Sequence, residues 1–146
     1  MKPKIYLYKH CLFVIADNSI FNIAVDKSSN QMPQMIPEIS VEELGRRLQE
    51  ESVEKLQLVD VRETYEIAIA SLPGFEILPL SEFAAWSDQI RTRLDPDAET
   101  LVLCHHGVRS AQMCHWLIDQ GFTNVKNITG GIDYYSLKVD RTIPRY

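Results

Sequence analysis

Ten residues, Leu101-Val102-Leu103-Cys104-His105-His106-Gly107-Val108-Arg109-Ser110, constrain this chain more than any others. An apolar, strand-like segment ends on a cysteine. A tight loop with one glycine follows, then an arginine and a serine that opens an amphipathic helix. Such an order delivers a sulfur atom to a loop whose backbone N–H groups converge with the first helical turn. The helix dipole favours negative charge at that point. A thiol placed there is expected to ionise readily, and the thiolate is the nucleophilic form. Gly107 is expected to supply close backbone approach or a positive φ.

Helix and strand signals alternate on both sides of this run. Ser40-Val41-Glu42-Glu43 is a capping box that opens a helix to about Glu50. Residues 56–61 read as a short strand, 63–70 as a helical turn and 75–80 as another strand. Ser81 is expected to cap a helix carrying Phe83, Trp86 and Ile90. Asp95-Pro96-Asp97 turns the chain into a strand over 100–103. A helix over 110–120 places Ala111, Cys114, Leu117 and Ile118 on one face, and Gly121 stops it. Residues 124–128 form a last strand, and Gly130-Gly131 begins a final helical turn. The alternation predicts an α/β fold with a mainly parallel central sheet and helices on both faces. In such sheets the site lies beyond the carboxyl ends of the strands, where Cys104 falls.

The 146 residues suffice for one domain with an added arm. Residues 1–35 read as an N-terminal extension, flexible or non-native, and 36–146 as the domain. Within the extension two strands are expected, over 5–15 and 20–25, around Asp17-Asn18-Ser19. Residues 27–37 read as a linker, and Met32 or Met35 is a candidate start. Lys2, Lys4 and the apolar 11–16 stretch faintly resemble an export signal, but Lys9 and His10 interrupt it. A membrane span needs about 18 apolar residues in a row, and the sequence has no such run. The net charge of −5, without a basic cluster, argues against nucleic acid or anionic membrane as a partner. Three scattered cysteines do not form a disulfide framework, so a reducing, cytoplasmic setting is expected.

Three blocks in order resemble the rhodanese domain of the sulfurtransferase superfamily. Leu58-Val59-Asp60-Val61-Arg62-Glu63 with Glu66 is similar to its first signature, and residues 104–110 to its active-site loop. Gly121-Phe122 through Val125, then Gly130-Gly131-Ile132, is similar to its C-terminal signature. The resemblance covers residues 36–146. It implies a sulfurtransferase without a cofactor. Cys104 would attack the sulfane sulfur of thiosulfate or a similar small anionic donor, and carry that sulfur as a persulfide to an acceptor. Arg109 would act with Cys104 by orienting the loop or the donor. His105, His106, Gly107, Val108 and Ser110 would line the substrate, with the loop amides cradling the outer sulfur. Asp60 and Arg62 would brace the loop, and Arg62 is expected to pair with Glu66. A monomer is expected, with a thiol, a dithiol or a sulfur-carrier protein as acceptor. One stretch departs from the pattern. Where many members carry Gly-His-Ile-x-Gly-Ala, this chain has Ala70-Ser71-Leu72-Pro73-Gly74-Phe75. That variant is similar to rhodanese domains fused to E1-like sulfur-carrier activating enzymes, which bears on the acceptor.

Cys104, His105 and His106 are adjacent in a tight loop and do not aim at one metal ion, so no metal is expected. Cysteine-dependent phosphatases, and arsenate reductases like them, place five residues between Cys and Arg; here four intervene, a smaller cradle. A non-catalytic binding or regulatory module would usually lack the cysteine. Cys114 reads as core rather than as a resolving thiol. Phe83, Trp86 and Trp116 read as core or pocket wall.

Overall fold

The computed structural model describes residues 4–8, 11–16, 19–24, 35–50 and 56–146, the first three segments as strands only. The chain divides into two compact units, Met1–Met35 and Ile36–Tyr146.

The first unit holds β1 (Lys4–Tyr8), β2 (Cys11–Ala16) and β3 (Ser19–Ala24) in an antiparallel sheet of that order. Three strands stand where the sequence pattern predicts two. The 5–15 stretch is a pair, with Ile5 opposite Val14 and Leu7 opposite Leu12. The polar Lys9-His10 separates two apolar runs, and each run pairs with the other. The Asp17-Asn18 part of the expected turn and most of the expected linker lie outside the described residues.

The second unit is the α/β fold that the alternation predicts. Its strands are β4 (Glu38–Ile39), β5 (Gln57–Asp60), β6 (Glu76–Ile77), β7 (Thr100–Leu103) and β8 (Val125–Ile128). They form one sheet in the order β4-β8-β7-β5-β6, and every neighbouring pair is parallel. The helices are α1 (Val41–Glu50), α2 (Thr64–Ile69), α3 (Phe83–Trp86), α4 (Ile90–Arg93), α5 (Val108–Asp119) and α6 (Gly131–Lys138). Side chains alternate across a strand. Leu58, Leu101 and Leu103 therefore share one face, where they cluster with Leu44 of α1 and Ile132 and Tyr135 of α6. Val59 and Val102 point to the opposite face. There α5 packs on β7 and β8, with Met113, Cys114 and Leu117 buried. Phe83, Trp86 and Trp116 are buried and meet edge to face, with centroids 4.9 to 5.8 Å apart, so they are core.

Several local expectations shift. The Ser40 hydroxyl accepts the Glu43 N–H at 3.1 Å, so that cap is in place. Ser81 caps nothing. Its hydroxyl donates to Glu63 at 2.5 Å, and the stretch Leu80–Arg93 breaks into short α and 3-10 turns instead of one helix. The 75–80 strand shrinks to Glu76–Ile77. The helix expected from Ser110 starts two residues earlier, because Gly107 at φ 97° serves as its N-cap. The final turn is a longer helix, Gly131–Lys138. No helix among the described residues is long and apolar enough to cross a membrane.

Candidate active site

Strand β7 ends at Leu103 and α5 begins at Val108, so the Cys104 loop lies at the carboxyl edge of the sheet. Its backbone is held from behind by α6. The Ile132 N–H donates to the Cys104 carbonyl at 3.0 Å, and the Asp133 N–H donates to the His105 carbonyl at 3.1 Å. This contact explains Gly131, which sits at φ 61°. A Cβ there would collide with the Cys104 and His105 carbonyl oxygens. Gly107 is similarly constrained, since its Cβ would lie 3.1 Å from the Gly130 nitrogen.

With its carbonyls turned toward α6, the loop offers donors to the sulfur. The Gly107 N–H lies 3.0 Å from Cys104 Sγ, and the Ser110 hydroxyl lies 3.1 Å from it. Both donors are held by one residue that the sequence reading missed. Asn127 on β8 accepts from the Ser110 hydroxyl at 2.6 Å and donates from Nδ2 to the Gly107 carbonyl at 3.1 Å. Ser110 has a single proton. It can serve Asn127 while Cys104 is a thiol, and turn to the sulfur once a thiolate forms. Cys104 is buried, 1% exposed.

The charges pair otherwise than expected. Arg62 does not pair with Glu66. It is fully buried and folds back on Asp60, with Nη2 donating at 2.6 Å and Nε donating to both carboxylate oxygens at 3.0 and 3.1 Å. Residues two apart in extended chain lie on one side, which makes this the nearest partner. Glu66 instead takes Arg109 in a bidentate pair, both bonds 2.7 Å. The Glu63 N–H and the Tyr146 hydroxyl also donate to Glu66, at 2.9 and 3.1 Å. Burial alone would raise the Glu66 carboxyl; the Arg109 guanidinium and these donors outweigh it and hold it at about 2. Burial would likewise favour loss of the Arg109 proton, but Glu66 and the nearby Cys104 hold its pKa above the ordinary value. Arg109 is thus anchored to α2 rather than left open to solvent.

His105 and His106 stack with centroids 3.9 Å apart, and Tyr146 stacks on the other side of His105 at 4.2 Å. Burial, then the charge of His106, pushes His105 below the ordinary imidazole value. The His106 Nδ1 lies 3.9 Å from Asp133. Val108 is 63% exposed, on the rim rather than against the sulfur. Cys114 is fully buried beneath α5, and burial pushes its thiol up to about 12, so it behaves as core.

A model of the rhodanese-like domain matches residues 40–138. The chain is 51% identical over 112 residues to rhodanese-like/PpiC domain-containing protein 12, chloroplastic, of Arabidopsis thaliana, covering 76% of this chain and 38% of that one. It is 35% identical over 98 residues to a sulfurtransferase of Allochromatium vinosum, covering 67% of this chain and 86% of that one. The chain thus spans little more than a third of the first relative and most of the second. A crystal structure of a rhodanese-like domain protein from Staphylococcus aureus superposes with a TM-score of 0.61 at 24% identity, covering 76% of this chain and 99% of that one; it shares the fold. The chain belongs to the rhodanese-like family, whose members matched here include proteins named for sulfur transfer.

Proposed function

We propose that this protein is a sulfurtransferase that carries sulfane sulfur on Cys104. The observation that supports it most is the pair of donors, the Gly107 N–H and the Ser110 hydroxyl, aimed at one sulfur atom. They stabilise a thiolate, and the same donors favour the anion that results from sulfur transfer. The Cys104 thiolate attacks the outer sulfur of thiosulfate. The S–S bond of the donor breaks with its electron pair leaving on sulfite, and Cys104 becomes a persulfide anion. A thiolate acceptor then attacks the outer sulfur, and the Cys104 thiolate leaves. Both steps are displacements that conserve electrons. Arg109 orients the loop through Glu66. The attraction for an anionic donor comes from the loop amides and from His105 and His106 when protonated. Asp60 and Arg62 brace the adjoining strand end.

The buried sulfur favours an acceptor that enters end-on. A small thiol or dithiol fits, and so does a sulfur-carrier protein with a thin tail, to which the 70–75 variant points. Such an enzyme works in a reducing, cytoplasm-like compartment, where Cys104 and Cys114 stay free. Intact mass spectrometry after incubation with thiosulfate tests the reading. A gain of one sulfur atom that is absent in Cys104→Ser and discharged by a dithiol is the expected result. A chain that never gains sulfur, or gains it equally without Cys104, overturns it. Turnover of an aryl phosphate in place of thiosulfate would instead support the phosphatase reading.

A further inference from the structure

The family match ends at residue 138, yet the segment beyond it returns to the sulfur site. Tyr146 lays its ring on His105 with the planes 10° apart, and His105 lies on His106 with the planes 25° apart. The Tyr146 hydroxyl accepts from Arg62 Nη1 at 2.8 Å and donates to Glu66 Oε1 at 3.1 Å. The preceding residue, Arg145, grips Asp133 through bonds of 2.7 and 3.1 Å, and the Asp133 N–H holds the His105 carbonyl. The imidazole itself has little else to fix it. Its Nε2 is buried and without a hydrogen-bond partner among the described residues. Stacking therefore sets the plane of that ring.

We propose that Tyr146 is a positioning residue of the sulfur-transfer site: its ring clamps His105 beside Cys104, and its hydroxyl ties the Asp60–Arg62 pair to the Glu66–Arg109 pair. The proposal rests on the reading of Cys104 as sulfur carrier. The two halves of the tyrosine do different work, and that makes them separable. The ring covers His105. The hydroxyl joins two buried ion pairs on different elements, the end of β5 and the α2–α5 contact, and adds to the 3.0 Å bond from Arg62 Nη1 to the Ala70 carbonyl at the end of α2.

The ring has a consequence for pH. The groups facing His105 are His106 in the loop, Glu66 on α2, Asp133 on α6, Arg109 on α5 and the Tyr146 ring. Glu66 and Asp133 favour its protonation, while His106, Arg109 and above all burial oppose it. Removing the ring uncovers the imidazole and weakens the largest of these, so its midpoint rises toward the ordinary value. Protonated His105 attracts an anionic donor. The pH at which the KM for thiosulfate falls therefore tracks that midpoint.

The test compares the full chain with Tyr146→Phe and Tyr146→Ala. His105 is titrated by NMR, steady-state transfer from thiosulfate to a dithiol is followed across pH, and sulfur loading on Cys104 is read by intact mass. Tyr146→Phe keeps the stack, so the His105 midpoint and kcat should stay, while the KM for thiosulfate rises about threefold as Arg109 is held less firmly. Tyr146→Ala should raise the midpoint toward the ordinary imidazole value, move the KM–pH profile with it, and lower kcat about tenfold. An unchanged midpoint, kcat and KM in Tyr146→Ala overturns the clamp. So does the lack of a ring-to-ring NOE between Tyr146 and His105 in the unsubstituted protein. If Tyr146→Ala does not fold, the NOE and the Tyr146→Phe split decide. Failure of Cys104 to load sulfur at all would count against the sulfurtransferase reading, while the NOE and the titration still decide the clamp.

Discussion

Glu66 is one carboxylate answering two nitrogens of Arg109, the Glu63 amide and the Tyr146 hydroxyl. Its folded pKa is depressed from 4.5 to about 2. The stability it contributes is therefore fully present above the unfolded value and is lost as the pH falls through the folded one. At about 1.4 kcal/mol per unit, the whole span is on the order of 3 kcal/mol. Denaturant unfolding from neutral pH down to the acid limit measures it. Glu66→Gln should be less stable at neutral pH and should flatten that acid slope. The two buried cysteines Cys104 and Cys114 differ as sharply. Cys104 meets two donors at the site, whereas Cys114 is a buried thiol held up at about 12. Cys104→Ser should abolish sulfur transfer with little change in melting temperature. Cys114→Ser should keep most activity and lose about 1–2 kcal/mol of stability, the cost of a buried hydroxyl without a good partner. Assays of transfer beside thermal melts check both.

At the scale of elements, the site is a junction of three: the end of β7, the start of α5 and the start of α6. Asn127 on β8 fastens the loop to the sheet, because its carboxamide holds both residues that donate to Cys104. Asn127→Ala should cost about 1 kcal/mol, since it removes two buried hydrogen bonds while the Gly107 carbonyl keeps the Ala111 N–H and the Ser110 hydroxyl keeps Cys104 Sγ. It should also slow sulfur loading about tenfold through loss of loop geometry. Single-turnover loading and unfolding curves read these two effects separately. Elements differed in how plainly the sequence announced them. The capping box before α1 and the apolar strand β7 follow from local residue types alone. The strands β4 and β6 have two residues each, and pairing with β8 and β5 defines them, not periodicity. The stretch Leu80–Arg93 carries helical spacing but breaks into turns. There the Trp86 indole N–H bonds the Pro79 carbonyl at 2.9 Å, and Ser81 bonds Glu63 rather than capping a helix.

At the scale of the molecule, the second unit, Ile36–Tyr146, contains the whole parallel sheet and every residue assigned to the sulfur site. We propose that it is the functional domain by itself. A chain starting at Met35 should fold, load sulfur on Cys104 at the rate of the full chain, and melt within a few degrees of it. Circular dichroism with the mass assay checks this, and a shortened chain that fails to fold would place the first unit in the core. The parallel arrangement also explains why the site lies where it does. Strands β5 and β7 run side by side, so Asp60 pairs with Leu103 in register, and the Asp60–Arg62 pair and the Cys104 loop emerge at the same edge.

The sequence by itself determined the fold class, the placement of Cys104 at a strand end and the need for glycine at position 107. Each depends on residues within a few positions of one another: alternation of apolar runs, a cap, a turn that only glycine adopts without strain. The partners of the charges were decided by tertiary structure. Arg109 and Glu66 are 43 residues apart, and Tyr146 meets Glu66 across 80. From the motifs alone Arg62 was expected to pair with Glu66, since the first signature contains both. Only once α2, α5 and the segment reaching Tyr146 converge does geometry leave Asp60 to Arg62 and bring Arg109 to Glu66. Asn127 was hidden for the same reason. A polar residue in a short strand shows its purpose only when the Gly107 carbonyl and the Ser110 hydroxyl are packed against it, and long-range packing leaves no local pattern to read.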